Sequence, residues 1–480
     1  MAVITMQNRP NKAHKIQPAP TPFELAVLSD KTQMDAQNSA ITTIRETGKS
    51  RYQQLGFPTR RLEAWKFIDL KALQNTEFLP YPDNLATVNK ADLAPYMIGG
   101  NTNASRLVFV NGRYVDSLSN TAGIPKSITA ISLMLASREM PTELSALENI
   151  FDATTDAFAA LNAATVEDGV LLSIPQQTVV DKPIQILLVS TGDSSAPRMA
   201  SPRCLVELGQ GAKAELVVEC IGLGKTGAVQ PTVNNTVIQI AARPEAELRM
   251  TLIQEARHEA TAYSFTSTEA KLEANSCLEM TTVALRGGIA RHNVQAHLLE
   301  EGAHCTLNGL NVLNGDTKVH HHTEIHHLAP ACTSEQVYKS ILEDQSMADF
   351  DGTITVARHA QKTDSSQMNR TLLLSEDAKT YTRPQLKIDA DDVKCAHGAT
   401  VGQLEEEQLF YLVSRGLNPE IAQCLLTFGF AEDVINRINL PLVRQYLESR
   451  VLENMGQSHN PKSCYASCTK IEKSACEIEG

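Results

Sequence analysis

Tryptophan is almost missing from this sequence: Trp65 is the only one in 480 residues, and aromatic residues make up 5% of the chain. Binding cavities walled by stacked rings are therefore not expected. Positive charge is also scarce. The 43 Lys and Arg against 55 Asp and Glu leave a net charge of -12, with no basic stripe, which excludes a general nucleic-acid binder. No apolar run approaches the length of a membrane span. Residues Met1 to Phe23 carry Pro, Asn, Gln and Lys but no apolar core, so the segment reads as a disordered lead-in and not as a secretory signal. The ten cysteines have no framework spacing, and without an export signal they are expected to be reduced thiols in a cytoplasmic protein.

Catalytic signatures are lacking too. There is no Gly-x-Ser-x-Gly elbow and no His-Glu-x-x-His pair. Gly222-Leu223-Gly224-Lys225-Thr226 ends like a phosphate-binding loop, but the glycine required five residues before the Gly-Lys pair is Glu219. Gly227, Pro231 and Asn234-Asn235 follow where a helix should cradle phosphates, so a solvated loop between strands is expected.

What is present divides into zones. Hydrophobic content of 42% and charge of 20% are those of a globular protein able to bury a real core. Residues 24–161 read as mostly helical, with helical spacing from Lys31 to Leu55 stopped by Gly56-Phe57-Pro58, and a strand–turn–strand over Ser105 to Val115 around Asn111-Gly112. Over 162–403 helical periodicity gives way to short alternating runs such as Thr236-Val237-Ile238-Gln239-Ile240. A small residue at a turn recurs at Ala246, Ala274, Ala303, Ala331 and Ala360, at intervals of 28 or 29. A turn–strand unit of that period predicts a β-solenoid, each coil covering the open edge of the last.

Residues 404–455 are helical. Gly416 should close a helix begun near Glu405, Asn418-Pro419 should start a second that ends at Gly429, and two more are expected over Glu432–Ile438 and Leu440–Leu452. Residues 456–480 read as a flexible tail carrying Cys464, Cys468 and Cys476 beside His459, spaced too widely for a zinc ribbon.

Two constellations could carry chemistry. Cys395-Ala396-His397 on a strand puts thiol and imidazole on one face, a pairing suited to zinc, copper or iron–sulfur chemistry. A buried cysteine beside a hydrogen-bonded core histidine would have the same spacing. His320, His321, His322, His326 and His327 surround Glu324, with His320, His322 and Glu324 on one strand face and His321 and Thr323 on the other. They could supply three metal ligands, but a polar solenoid surface or a subunit contact is the favoured expectation.

The blocks Tyr338-Lys339-Ser340-Ile341-Leu342, Gln367-Met368-Asn369-Arg370, Pro384-Gln385-Leu386-Lys387-Ile388, Asp391 through Gly402 and Glu407-Gln408-Leu409-Phe410-Tyr411-Leu412 resemble the core of SufD-type subunits of the SUF iron–sulfur cluster assembly system. Arg61-Leu62-Glu63-Ala64-Trp65-Lys66 is similar to that family's N-terminal part. The resemblance implies a mainly β fold, a right-handed parallel β-helix flanked by N-terminal and C-terminal helical regions. It implies a non-catalytic scaffold beside a SufB-like subunit, with sulfur-donor proteins reached through the complex. A SufC-like ATPase would supply ATP hydrolysis and dock on Glu405, Gln408, Leu409, Phe410, Tyr411, Leu412 and Arg415. It further implies that His397 holds a transient iron–sulfur cluster at the scaffold interface, with Cys395 as a neighbour of less defined role. Cys277, Cys305 and Cys332 keep a SufB-like paralogue as the alternative, and fold analogy alone adds a β-helix glycan enzyme, which should be secreted and rich in surface aromatics. The oligomeric state of the isolated chain, monomer or homodimer, stays open.

Overall fold

The computed structural model describes residues 20–29, 39–82, 88–100, 104–151, 156–192, 194–224, 230–256 and 262–456. Residues 1–19 of the expected lead-in, Lys225 and Thr226 of the glycine-rich loop, and the cysteine tail beyond Gly456 lie outside them; the end of that lead-in is ordered, since Thr21 caps a helix over Pro22–Val27 and Phe23 is buried. Strand exceeds helix, 42% against 26%, in a β-solenoid of about seven turns with helices at both termini.

Each coil contributes one strand to each of two parallel sheets. The first sheet runs through Gly169–Ile174, Arg203–Leu208, Thr232–Ala242, Ala262–Leu272, Ile289–Leu298, Lys318–His327, Met347–Val356 and Lys379–Ile388. The second runs through Ile184–Thr191, Lys213–Leu223, Glu247–Ala256, Cys277–Arg286, His304–Leu313, Thr333–Leu342, Asp364–Leu373 and Lys394–Gly402. The core lies between the sheets, where alternate residues of the facing strands, such as Ile238, Ile240, Leu248, Met250, Leu278, Met280 and Val294, are buried together. Alternation along each strand leaves the other residues on the outer faces.

The repeat is real, but its alanines are not equivalent. Register pairs Glu247 with Cys277, then His304, Thr333, Asp364 and Lys394, intervals of 30, 27, 29, 31 and 30 by subtraction. At each corner a residue with positive φ (Gly211, Glu245, Asn275, Gly302, Ala331, Lys362) is followed by a buried small or polar residue (Ala212, Ala246, Ser276, Ala303, Cys332, Thr363). Ala246 and Ala303 occupy the buried step, Ala331 the left-handed one, and Ala274 and Ala360 lie just before it. The alanine spacing therefore marked the corner without fixing the register.

The N-terminal region holds the helices Ser39–Leu55, Leu133–Glu139, Pro141–Glu148 and Ala157–Thr165, and also the first strands of both sheets. Ser105–Val110 pairs parallel with Ile184–Thr191 and antiparallel with Arg113–Tyr114 through Asn111-Gly112, both with positive φ as a tight hairpin turn requires. Thr129–Ser132 closes the first sheet antiparallel to Gly169–Ile174. The N-terminal helices cover the outer face of the first sheet, where Trp65 and Phe158 pack on Phe265.

The C-terminal helices cover the second sheet's outer face. Ala431, Val434, Val443 and Leu447 bury against Ile253, Val283, Leu310 and Ile341. Two expected boundaries shift. Pro419–Ile435 is one continuous helix that passes through Gly429, and Pro441–Met455 extends beyond Leu452. A mid-helix glycine costs only about 1 kcal/mol, and the buried face of that helix outweighs it. Asn418 caps this helix, its Oδ1 accepting the Glu420 N–H at 2.8 Å, and Gly416 closes the preceding one at φ 93°.

Ala331 holds a left-handed conformation, φ 55°, that disfavours a side chain. Ala331→Gly should therefore raise unfolding stability by about 0.5–1 kcal/mol, read from the urea midpoint at unchanged slope.

Candidate functional site at the open end of the solenoid

A solenoid has two ends, and here they differ. The first coils are closed by the short antiparallel strands and by helices. The last coil is not: among the described residues Lys379–Ile388 pairs only with Met347–Val356, and Lys394–Gly402 only with Asp364–Leu373. Their outer edges carry unpaired backbone donors and acceptors, with Tyr381, Ile388 and Val401 exposed beside them.

Cys395 and His397 sit on that last strand. Register places Cys395 over Ser365 and Ser334, and His397 over Gln367 and Gln336. Both columns begin in the core, at Cys305 and Leu307, so both side chains are on the interior-facing side. With no coil above, that side is open: His397 is exposed and Cys395 half-buried. The expected shared face is observed, and the histidine is not a core residue. Cys395 packs beside Ile354, Val356 and Leu386, and burial together with the Asp364 charge pushes its thiol pKa up. A metal ion would have to displace that proton.

The interior beneath them is polar, which the sequence reading did not foresee. The column that reads Met250, Met280 and Leu307 in the earlier coils continues as Gln336, Gln367 and His397. Gln367 is 2% exposed, and neither amide atom has a hydrogen-bond partner. Gly352 makes room for it, since a Cβ there would lie 2.1 Å from Gln367 Nε2. Beside this column His327 Nε2 meets Ser334 Oγ at 2.9 Å, and Ser334 meets Ser365 at 2.8 Å, directly under Cys395. His321 Nε2 contacts Asn311 Oδ1 at 2.9 Å and its ring stacks on His292. The alternation of His321, Thr323 and His327 was visible in the sequence, but not which sheet face is internal.

The remaining histidines of the cluster form a ladder on the outer face of the first sheet, which is not an open polar surface: His320 is buried, and the segment holding Glu63 and Ala64 packs over Arg383 and Arg291 beside it. His322 Nδ1 lies 3.0 Å from Asp351 and its Nε2 3.4 Å from Glu324, which His326 also approaches at 3.5 Å. His320 faces Asp349 at 3.4 Å. Hydrogen bonds to the two carboxylates raise the pKa of His322 against the effect of its burial. The two imidazoles hold Glu324 well below the usual carboxylate range, and His322 and Arg383 lower Asp351 to about 2. Among the described residues no three His, Cys, Asp or Glu side chains converge as metal ligands.

Arg383 binds Asp351 through two nitrogens and also reaches Glu63, while Phe67 stacks on Tyr381 at 3.9 Å. The N-terminal segment that holds the single tryptophan therefore braces the terminal coil.

The helix Glu406–Ser414 stands off the solenoid end, and none of its residues is buried. Phe410 is 73% exposed and Tyr411 56%, with Arg415 over the Tyr411 ring. Leu409 and Leu412 are half-buried, and Gln408 donates to Glu405 at 2.7 Å. Phe410 and Tyr411 thus form an exposed aromatic pair on a short helix, more apolar surface than a solvated helix ordinarily shows.

The comparisons with known proteins agree with this geometry. Residues 189–430 match the family described as "SUF system FeS cluster assembly, SufBD core domain", and residues 28–186 match the SufBD N-terminal region. The chain belongs to the SufBD family. It is 31% identical to an iron–sulfur cluster assembly SufBD family protein of Synechocystis, over 87% of this chain and 92% of that one. It is 29% identical to the iron–sulfur cluster assembly protein SufD of Escherichia coli, over 84% and 89%, and 26% identical to that of Bacillus subtilis, over 60% and 65%. The expected family and mainly β fold are thereby borne out.

Burial holds His292 near 3 and His297 and His327 near 4, and keeps His321 well below its ordinary value. Below about pH 6.5 the unfolded chain takes up these protons while the folded one does not, so stability must fall from there toward pH 4. Burial lowers His320 as well, and His322, raised, acts in the opposite sense but is one against five. The melting temperature should therefore drop steadily between pH 6.5 and 4.5, and a flat profile would contradict the neutral interior. Replacing the unsatisfied amide, Gln367→Leu, should stabilise the fold by about 1–3 kcal/mol, measured by urea unfolding.

Proposed function

We propose that this SufBD protein is a non-catalytic scaffold subunit of iron–sulfur cluster assembly, whose open C-terminal coil is one half of a cluster site completed by a second scaffold. The observation that carries this reading is the uncapped last coil, which exposes His397 on an interior-facing column beside two unpaired strand edges. Two ligand groups cannot close a cluster site, which needs about four. A SufB-like partner of the same fold can add its own edge strands to Lys379–Ile388 and Lys394–Gly402, continuing both sheets and bringing further ligands.

His397 is the ligand this chain contributes, and Cys395 is its neighbour, protonated until iron or sulfide arrives. The SufD-type reading is favoured over the SufB-like one because Cys305 and Cys332 are buried and the Cys277 thiol is pushed up to about 11, so none of the three is an activated thiolate. A SufC-like ATPase docks on Glu406–Ser414 through Phe410 and Tyr411. Its closure moves that helix relative to the last coil and so opens and closes the paired site, a two-state element driven by a ligand bound elsewhere. Sulfur-donor proteins act through the complex. No helix among the described residues is long and apolar enough to cross a membrane, in keeping with a cytoplasmic assembly.

Anaerobic reconstitution of the complex with iron and sulfide tests the site. His397→Ala should abolish the visible charge-transfer absorbance, and wild-type absorbance from that variant would refute the assignment. The docking helix has its own test. Phe410→Ala with Tyr411→Ala should cost at least about 2 kcal/mol, roughly thirty-fold in Kd for the ATPase, with the melting curve unchanged.

A further inference from the structure

A cavity of about 620 Å³ lies between the N-terminal helices and the outer face of the first sheet, and its walls include neither Cys395 nor His397. Its size is that of a small-molecule site. The wall formed by the helices is mainly aliphatic, with Ala40, Ile44, Leu55 and Ala160. The sheet supplies polar side chains, and one of them, Arg291, differs from the rest.

Arg291 is 3% exposed. Its Nη1 donates to the Ala64 carbonyl at 2.8 Å, and the Trp65 ring covers the guanidinium, its centroid 4.1 Å from Cζ. Nε has no hydrogen-bond partner, and among the described residues Nη2 has none either. These two atoms form the edge along which a guanidinium holds a carboxylate through two parallel N–H donors. The carboxylates that act on Arg291 through space are engaged elsewhere: Asp156 by Ser267 and Asn293, Asp349 by His320, and Asp351 by His322 and Arg383. They offset its burial only in part, and its pKa is pushed down to about 10. A buried cation with a free fork costs stability until an anion meets it.

The other charges lining the cavity are matched. Arg203 lies on Glu148, Glu63 on Arg383, and Glu269 beside Lys271 and His297. Glu324 accepts from Gln295 at 3.0 Å and lies beside His322 and His326. Arg51 reaches the same space and donates to Gln54 at 3.0 Å. Two further acceptors, Asn293 Oδ1 and Gln239 Oε1, have no partner. One free fork among so many acceptors suits a single negative charge and not the two of a phosphate monoester.

We propose that this cavity binds an aliphatic monocarboxylate, with the carboxylate on Nε and Nη2 of Arg291 and the methylene chain along Ala40, Ile44, Leu55 and Ala160. The inference is independent of the cluster site.

Titration calorimetry of the full chain with octanoate tests it, with 1-octanol and octyl phosphate as comparators of equal chain length. One saturable site is expected for octanoate, at least tenfold tighter than for either comparator. Arg291→Lys, which keeps the charge and removes the fork, should weaken octanoate at least tenfold and leave octanol unchanged. Thr47→Trp, at an exposed position of the helix wall, should weaken both by narrowing the cavity. The proposal is overturned by the absence of saturable octanoate binding, or by a comparator that binds as tightly. Octanoate binding undiminished in either variant, with a wild-type melting curve, overturns it too. Should Arg291→Lys fail to fold, the comparator series on the wild-type chain and Thr47→Trp decides.

Discussion

Every feature of this molecule depends on parallel backbone pairing between one coil and the next. A strand in the middle of either sheet has its donors and acceptors satisfied on both sides by segments about thirty residues away in sequence. That arrangement has no internal reason to stop. Termination has to be imposed, and among the described residues it is imposed at one end only, where Arg113–Tyr114 and Thr129–Ser132 turn antiparallel and helices pack over them. The other end is left as a template. An edge of this kind is normally an aggregation hazard, and here it is retained beside Cys395 and His397.

The interior changes along the same axis. Early coils stack Ile, Leu, Met and Val; in later ones Gln336 and Gln367 take the places of Met280 and Leu307, and His292 and His321 those of Thr236 and Thr266. Burying unpaired amide and imidazole groups costs stability, and proteins tolerate such losses mainly where they serve a site. The expense here lies in the coils nearest the open end, while the outer ladder of His322, Glu324, Asp351 and Arg383 and the stack of Phe67 on Tyr381 restore some order from outside.

Much of the fold was legible because solenoid corners punish the wrong residue. Small buried residues and positive φ recur at each one, and alternation along strands such as Thr236 to Ile240 is plain. The shared face of Cys395 and His397 followed from a period of two. The equal alanine intervals misled on register because three different corner steps tolerate alanine. Gly429 misled because a helix buried along one face can absorb one glycine. The polar interior could not be read at all: period two separates His321 from His322 but does not say which face is inside, since both faces of this sheet are covered along much of its length. Exposure of His397 was equally invisible, because it depends on the absence of a further coil and not on the residues near it. The surrounding block, by its resemblance to SufD-type subunits, was what raised that histidine above its bland alternatives.

The contact of Phe67 with Tyr381 carries a consequence for biogenesis. Phe67 leaves the ribosome long before Tyr381 exists, and so does Glu63 before Arg383. The early segment can dock through Trp65 on Phe158 and Phe265 as soon as the first coils form, but its outer aromatic edge stays wet until the final coil is synthesised. Synthesis of the last coil is thus registered in the N-terminal segment, and that coil is braced as soon as Tyr381 and Arg383 meet Phe67 and Glu63.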